Sequence, residues 1–154
     1  MNVEVATKAD FKPWLVLAAE VEPLFGPMVA EPAFLGAIER SIARGSGFCV
    51  REGDAPPGVP LLAALLWSSH PPSHQIGWLA VAGVARRRGL ATLLVRHALS
   101  LVCPPAEITV KTFREDSPGG APARLFYARM GFLPAALTVG PNNIPVQVFR
   151  LILK

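Results

Sequence analysis

The chain is poor in cysteine and lacks any apolar run long enough to cross a membrane. Its two cysteines, Cys49 and Cys103, match no metal-ligand spacing and are too few for a disulfide framework. We therefore expect two buried, reduced thiols, a cytoplasmic location and no metal site. No stretch of about 18 uninterrupted apolar residues occurs, and the N-terminal residues 1–13 carry charges without an apolar core. Neither a membrane span nor a secretion signal is predicted.

Acidic residues are also in the minority. The chain has 11 Asp and Glu against 15 Lys and Arg, for a net charge of +4, and three of the basic residues are the consecutive Arg86–Arg88. Nucleic-acid binding usually requires a broader basic patch or interleaved aromatic residues, and neither is found here. A small polyphosphate ligand fits this cluster better than a nucleic acid does.

The stretch Ile76–Leu101 is predicted to form a strand, a loop and then a helix. An apolar run is followed by the three arginines and Gly89, after which leucines and alanines recur at three- and four-residue spacing. The first turn of a helix offers unpaired N–H groups and a partial positive charge, which favour phosphate. Gly89 and Ala91 keep large side chains away from those N–H groups. This stretch therefore predicts an anion-binding helix N-terminus.

The remaining pattern predicts one α/β domain with no internal repeat. Length supports this, because 154 residues suffice for one domain with a substantial core. Periodicity and turn residues predict strands at 2–7, 48–51, 60–68, 74–81, 107–113, 132–139 and 146–153, and helices at 9–25, 32–44, 90–101 and 122–130. Pro23 is expected to end the first helix.

The loop pattern Arg86-x-x-Gly89-x-Ala91, after a strand ending near Val81, resembles the acetyl-CoA pyrophosphate loop of the GCN5-related N-acetyltransferase (GNAT) family. The predicted order of elements is similar to that family's, and the segment 123–132, ARLFYARMGF, resembles its second signature. The resemblance implies a mixed central sheet of about six to seven strands flanked by about four helices. It also implies a single N-acetyltransferase domain over residues 1–154.

By the same resemblance, the cofactor is acetyl-CoA as a co-substrate, with no metal. In the family, an irregularity in the fourth strand frees backbone groups that bind the pantetheine arm. The resemblance implies that two groups of residues bind the cofactor. The first is the strand end, Leu79, Ala80 and Val81, and the second is the loop, Arg86, Arg87, Arg88, Gly89, Leu90 and Ala91. Many members also carry an asparagine seven positions before a tyrosine. Here that position is Gly120, and backbone groups of Gly119 or Gly120 are expected to replace the amide.

Tyr127 is the only tyrosine of the chain. A phenol has a reference pKa of about 10, close enough to that of a thiol to give a departing thiolate its proton. The resemblance implies this catalytic role for Tyr127, while an ordinary packing role in the helix is the alternative. For the general base, Glu115, Asp116, His70 and His74 and a water chain all stay open.

The sequence thus predicts transfer of an acetyl group from acetyl-CoA to a primary amine by direct attack. The acceptor is a small-molecule or peptide amine, with neither nucleic acid nor membrane as a partner, and a homodimer is possible. The alternative is a non-catalytic acyl-CoA binding or sensing module with the same fold.

Overall fold

A computed structural model describes residues 1–154 and contains seven strands and four helices, in the predicted order. These elements are β1 (Val3–Val5), α1 (Phe11–Phe25), α2 (Pro32–Arg44), β2 (Gly47–Val50), β3 (Ala63–His70), β4 (Ser73–Val81), α3 (Leu90–Ser100), β5 (Ala106–Phe113), α4 (Ala121–Arg129), β6 (Leu133–Val139) and β7 (Pro145–Leu153). The strand order in the sheet is β1-β2-β3-β4-β5-β7-β6. The sheet is mixed, because β4 and β5 are parallel whereas β5 and β7 are antiparallel. The predicted mixed sheet with four helices is confirmed.

The chain divides into two units. The first comprises Met1–Ser68 and Trp78–Leu101 and contains β1, β2, most of β3, the end of β4, and helices α1 to α3. Its strands β1, β2 and β3 pair antiparallel, and β2 is buried along its whole length. The side chains that α1 and α3 bury in this core are Trp14, Leu17, Ala18, Val21, Leu90, Leu94, Val95 and Ala98.

The second unit comprises Ser69–Gly77 and Val102–Lys154. The first residues of β4, Ser73–Ile76, pair with Glu107–Val110 of β5, and β5 pairs with β7 along its full length. Strand β6 pairs with β7 and forms the edge. The fully or nearly fully buried side chains here include Ile76, Ile108, Phe132 and Phe149.

Two local predictions are wrong. Helix α1 ends at Phe25, as the predicted bounds 9–25 have it, but Pro23 lies inside the helix and does not end it, because a proline this close to the helix end removes only one backbone bond. The carboxylate of Glu22 also accepts from the N–H of Met28 at 2.6 Å, which holds the following turn in place. Cys49 is buried as expected, but Cys103 is exposed, since it lies in the turn between α3 and β5.

None of the four helices has the length and apolar character needed to span a bilayer.

Candidate cofactor-binding site

The turn that follows β4 is fixed by hydrogen bonds from two directions. The N–H of Ala82 donates to the carbonyl of Leu62 at 2.8 Å, which continues the pairing beside β3. The N–H of Gly83 donates to the Glu20 carboxylate of α1 at 2.5 Å. Gly83 then opens a 3₁₀ turn that ends at Ala85. Glu20 therefore anchors the entry to the predicted anion-binding loop, a role that sequence analysis missed.

The loop after this turn enters the left-handed region twice. Arg87 has φ = 66° and Gly89 has φ = 75°, and α3 begins at Leu90. A Cβ built on Gly89 meets no atom within 4 Å, so the space beside this backbone is open. The N–H groups of Leu90 and Ala91 belong to the first turn of α3 and have no intrahelical acceptor. The helix start therefore has unpaired donors next to the open space beside Gly89, and anion binding there stays a prediction.

The three loop arginines are all exposed. Arg88 forms a surface ion pair with Glu52, with Nη1 and Oε2 3.4 Å apart. Such a solvated pair contributes little to stability, so it does not prevent Arg88 from binding another anion. Arg86 and Arg87 form no ion pair. The loop thus combines two unpaired guanidinium groups with a helix N-terminus.

The strand segment before the loop is partly accessible. The parallel ladder between β4 and β5 ends at Ile76 and Val110, and β4 continues to Val81. Leu79 and Val81 are half-buried, whereas Ala80 is buried. The assignment of backbone groups of Leu79, Ala80 and Val81 to the pantetheine arm stays a prediction.

Gly120 precedes α4, and its backbone N–H and carbonyl already form hydrogen bonds within the chain. Its N–H donates to the carbonyl of Ser117 at 3.1 Å, and its carbonyl accepts from the N–H of Arg124 at 3.2 Å. A Cβ at this position would overlap the Cβ of Phe113 and lie 2.9 Å from its Cγ. An asparagine therefore cannot be accommodated unless Phe113 moves. A cofactor contact by the backbone of Gly119 or Gly120 stays a prediction.

Tyr127 lies on the buried side of α4. Its ring centroid is 5.1 Å from that of Phe126, 5.7 Å from that of Phe132 and 6.3 Å from that of Phe149. Only 5% of the residue is exposed, and burial raises the pKa of the phenol above its ordinary value. The ring therefore has a packing role, and its hydroxyl keeps its proton throughout the physiological pH range. The proton-donor role stays a prediction.

The structure does not single out a general base. Glu115 and Asp116 are exposed, and Asp116 pairs with a neighbouring arginine. His74 is buried, with Nδ1 2.8 Å from the hydroxyl oxygen of Ser69, whereas His70 is exposed. No group of three His, Cys, Asp or Glu side chains is placed to hold a metal ion.

Sequence analysis also missed a buried ion pair in the first unit. The Asp10 carboxylate accepts from Arg51 Nη2 at 2.6 Å and from the N–H of Thr7 at 2.8 Å. A longer bond of 3.3 Å comes from the N–H of Gly58, in the loop between β2 and β3. Burial, the largest single influence, raises the pKa of Asp10, but the bonds from Arg51, Thr7 and Gly58 together outweigh it and lower the pKa. This pair holds the start of α1 against the end of β2.

Comparison with known proteins rests on structure, since no protein-family model and no curated protein matches the chain by sequence. A protein assigned to the GNAT family of acetyltransferases, from Desulfovibrio desulfuricans, superposes with a TM-score of 0.72 at 19% identity, over 98% of this chain and 96% of its own. Arabidopsis thaliana Naa50, bound to the bisubstrate analogue CoA-Ac-MVNAL, gives 0.72 at 13% identity, over 99% and 98%. The GNAT-like decarboxylase GphF, bound to isobutyryl-CoA, gives 0.74 at 14% identity over both whole chains. Solved structures with this fold include complexes with CoA ligands. The chain therefore has the fold of the GNAT acetyltransferases.

Proposed function

We propose that the protein is an N-acetyltransferase that moves the acetyl group of acetyl-CoA to a primary amine. Residues 1–154 act as a single domain in this proposal. The observation that carries it is the start of α3, where unpaired N–H groups, open space beside Gly89 and the exposed Arg86 and Arg87 lie together. The complex of Naa50 with its CoA bisubstrate analogue supports it from the same fold. So does the NatC complex bound to a Gag peptide and CoA, which this chain matches with a TM-score of 0.67 at 17% identity.

In this proposal the loop binds the diphosphate of the cofactor. The N-terminus of a helix carries the equivalent of about half a positive charge, and its free N–H groups donate to phosphate oxygens. The guanidinium groups of Arg86 and Arg87 add charge-assisted bonds, which are about twice as strong as neutral ones. Gly89 has no side chain to fill the space beside these donors.

The acetyl thioester of acetyl-CoA supplies the activated acyl group. Amine attack on a thioester builds negative charge on the carbonyl oxygen, which backbone N–H groups stabilise. We assign this role to the strand end at Leu79, Ala80 and Val81. We assign Tyr127 as the proton donor to the departing sulfur, because it occupies the tyrosine position of the segment 123–132 that resembles the family's second signature. Burial raises the pKa of the phenol, so the free protein holds this proton more tightly than an exposed tyrosine would.

The acceptor is a small-molecule or peptide amine. The NatC structure contains a Gag peptide, and the analogue bound to Naa50 links CoA to a peptide sequence. Proteins of this fold therefore bind peptides. The cytoplasm is the proposed location, since both cysteines are free thiols.

Gly120 favours a second candidate, a non-catalytic acyl-CoA binding or sensing module. The family asparagine is missing, and the N–H of Gly120 already donates to Ser117. The side-chain contact that this asparagine makes with the pantetheine arm in the family is therefore absent here. Binding and turnover must therefore be measured separately.

The cofactor site is tested by calorimetry of acetyl-CoA binding. Arg86→Glu should weaken the affinity about 10- to 100-fold, since hydrogen bonds to charged groups contribute about 1.5 to 3 kcal/mol. Gly89→Trp should abolish binding by filling the open space. Arg96→Glu is the matched control, because Arg96 is an exposed arginine further along α3. If Arg86→Glu and Arg96→Glu lose the same affinity for acetyl-CoA, the loss comes from the change in net charge alone. That result would contradict the proposed binding site.

Turnover is tested by release of free CoA thiol with a panel of small amines and peptides. Tyr127→Phe preserves the ring packing and should lower kcat about 100-fold or more, with little change in the KM for acetyl-CoA. Tight binding without thiol release on any amine would support the sensing module instead. An unchanged kcat in Tyr127→Phe would remove that residue from the mechanism.

A further inference from the structure

A groove of about 360 Å³ lies between α4 and the strands β6 and β7 in the second unit. Its apolar walls include Leu125 of α4, Pro134 of β6 and Phe149 of β7. Two charged side chains, Glu115 and Arg124, line the same groove. Cavities that bind small molecules have volumes of about 300 to 1,000 Å³, so this groove has room for a small ligand only. The proposed acetyl transfer assigns no role to any of these side chains.

The guanidinium group of Arg124 is held in one orientation by its neighbours. Its Nη1 donates to the carbonyl of Phe113 at 3.0 Å and to Oε1 of Gln147 at 2.6 Å. Nε2 of Gln147 donates in turn to the carbonyl of Ala135 at 3.0 Å, which fixes the amide. The guanidinium carbon also lies 5.0 Å from the centre of the Phe149 ring. A group that is already ordered loses little conformational freedom when a ligand binds.

One edge of this guanidinium group has no acceptor. Both bonds of Arg124 to the chain come from Nη1, so Nε and Nη2 donate to no atom of the chain, and Arg124 forms no ion pair. In Arg51 the same edge, Nε and Nη2, donates to the two carboxylate oxygens of Asp10 at 3.2 and 2.6 Å. Arg124 is half-buried, and a charge that is partly removed from water is normally paired. Its unused edge therefore fits a carboxylate, which it can bind with two parallel bonds.

Glu115 supplies the opposite charge in the same groove. It is exposed and forms no ion pair with Arg124 or with any other basic side chain. The two charges line one groove without contacting each other, so both are available to a ligand. A simple anion would be repelled by Glu115, and a simple cation would be repelled by Arg124. A ligand that carries both charges is attracted by both side chains.

We propose that this groove binds a free α-amino acid with an apolar side chain, such as leucine. The carboxylate of the ligand accepts from Nε and Nη2 of Arg124, and its ammonium group donates to Glu115. The apolar side chain of the ligand packs against Leu125, Ala128 and Pro134, which removes apolar surface from water. An amino acid within a longer peptide lacks at least one of the two charges, so the free amino acid is the ligand that fits.

The test is a titration of the isotope-labelled full-length protein with leucine, followed by NMR spectroscopy in the absence of acetyl-CoA. The amide signals of α4 should shift in a saturable way at millimolar leucine. Because acetyl-CoA is absent, this site is tested independently of acetyl transfer.

Three relatives of leucine separate the contributions of its parts. Isocaproate lacks the ammonium group and isoamylamine lacks the carboxylate, so each should bind about 10- to 100-fold more weakly than leucine. Glycine keeps both charges but has no apolar side chain, and it should bind about tenfold more weakly.

Two conservative variants test the two charged side chains. Arg124→Lys keeps the positive charge but lacks the planar pair of donors, so the affinity for leucine should fall about tenfold or more. Arg129→Lys is its matched control, because Arg129 is an exposed arginine of α4 outside the groove. Glu115→Gln should also weaken binding about tenfold, whereas Asp116→Asn, which changes the next carboxylate along the chain, should not. The amide spectrum shows directly whether each variant is folded.

The absence of saturable shifts up to about 20 mM leucine would overturn the proposal. Equal affinities for leucine and isocaproate would also contradict it, because the contact with Glu115 would then contribute nothing. Leucine binding that is unchanged in both Arg124→Lys and Glu115→Gln would show that the amino acid binds elsewhere, and the proposed site would be wrong.

Discussion

Removal of the Asp10 carboxylate should be among the most destabilising single changes in the first unit. Asp10 is fully buried and Arg51 is 6% exposed, and their closest atoms are 2.6 Å apart. In Asp10→Ala the guanidinium of Arg51 stays buried without a counter-charge. The N–H groups of Thr7 and Gly58 also lose their acceptor.

The expected loss in the free energy of unfolding is about 3 to 5 kcal/mol, the range for breaking a buried pair by removing one partner. For a domain of this size, about 1 kcal/mol shifts Tm by roughly 2 to 4 °C, so the loss corresponds to roughly 6 to 20 °C. Arg51→Met provides the comparison, because it removes the charge but keeps an apolar side chain of similar length. The double variant Asp10→Ala with Arg51→Met should therefore be more stable than Asp10→Ala alone.

The assay is urea unfolding followed by circular dichroism, at several pH values. Because the pKa of Asp10 is lower in the folded protein than its unfolded value of 3.8, the contribution of the pair is present above that value. It is lost as the pH falls through the folded pKa. Asp10→Asn should lack this part of the acid dependence. A loss below about 1 kcal/mol in Asp10→Ala, typical of exposed pairs, would refute the argument from burial.

Two further predictions concern the second unit and α2. Ultraviolet titration reports Tyr127 alone, because the chain has no other tyrosine. The urea-unfolded chain should form tyrosinate near pH 10, whereas the native protein should form none at that pH, because burial raises the pKa of the phenol. The free energy of unfolding should therefore fall as the pH rises above about 10. Coincident titrations would show that the phenol is not buried. Gly120→Ala should cost about 1 to 3 kcal/mol through overlap with a neighbouring phenylalanine, measured by urea unfolding. Gly36→Ala, in a helix interior beside the flexible end of an arginine, should instead add about 0.5 to 1 kcal/mol, and equal effects at both sites would contradict the steric reason.

The parts of the structure that the sequence predicted are those whose signal is local. The period of apolar residues in α3 and the glycine before it are contained within one stretch of chain, and the helix begins one residue after Gly89 as expected. The order of strands and helices follows from the same kind of pattern. Resemblance to a known family then supplied the arrangement of the sheet, which periodicity alone does not specify.

The features that the sequence did not predict depend on contacts between distant residues. Glu20 and Gly83 are 63 residues apart, and Asp10 and Arg51 are 41 apart. A single acidic residue near a helix start is equally compatible with a local cap and with a buried ion pair, so its partner cannot be read from spacing. The exposure of Cys103 likewise depends on the course of one turn.

The left-handed backbone at Arg87 has a consequence for the rate of the proposed anion binding. A side-chain-bearing residue in this conformation is uncommon and is maintained by its surroundings, here a turn that Glu20 ties down at its first N–H. The loop therefore takes up this conformation when the chain folds, before any ligand binds. If the loop binds a diphosphate as proposed, binding should require little rearrangement of the loop. The association rate should then be set by diffusion and charge, with no slow step of loop closure.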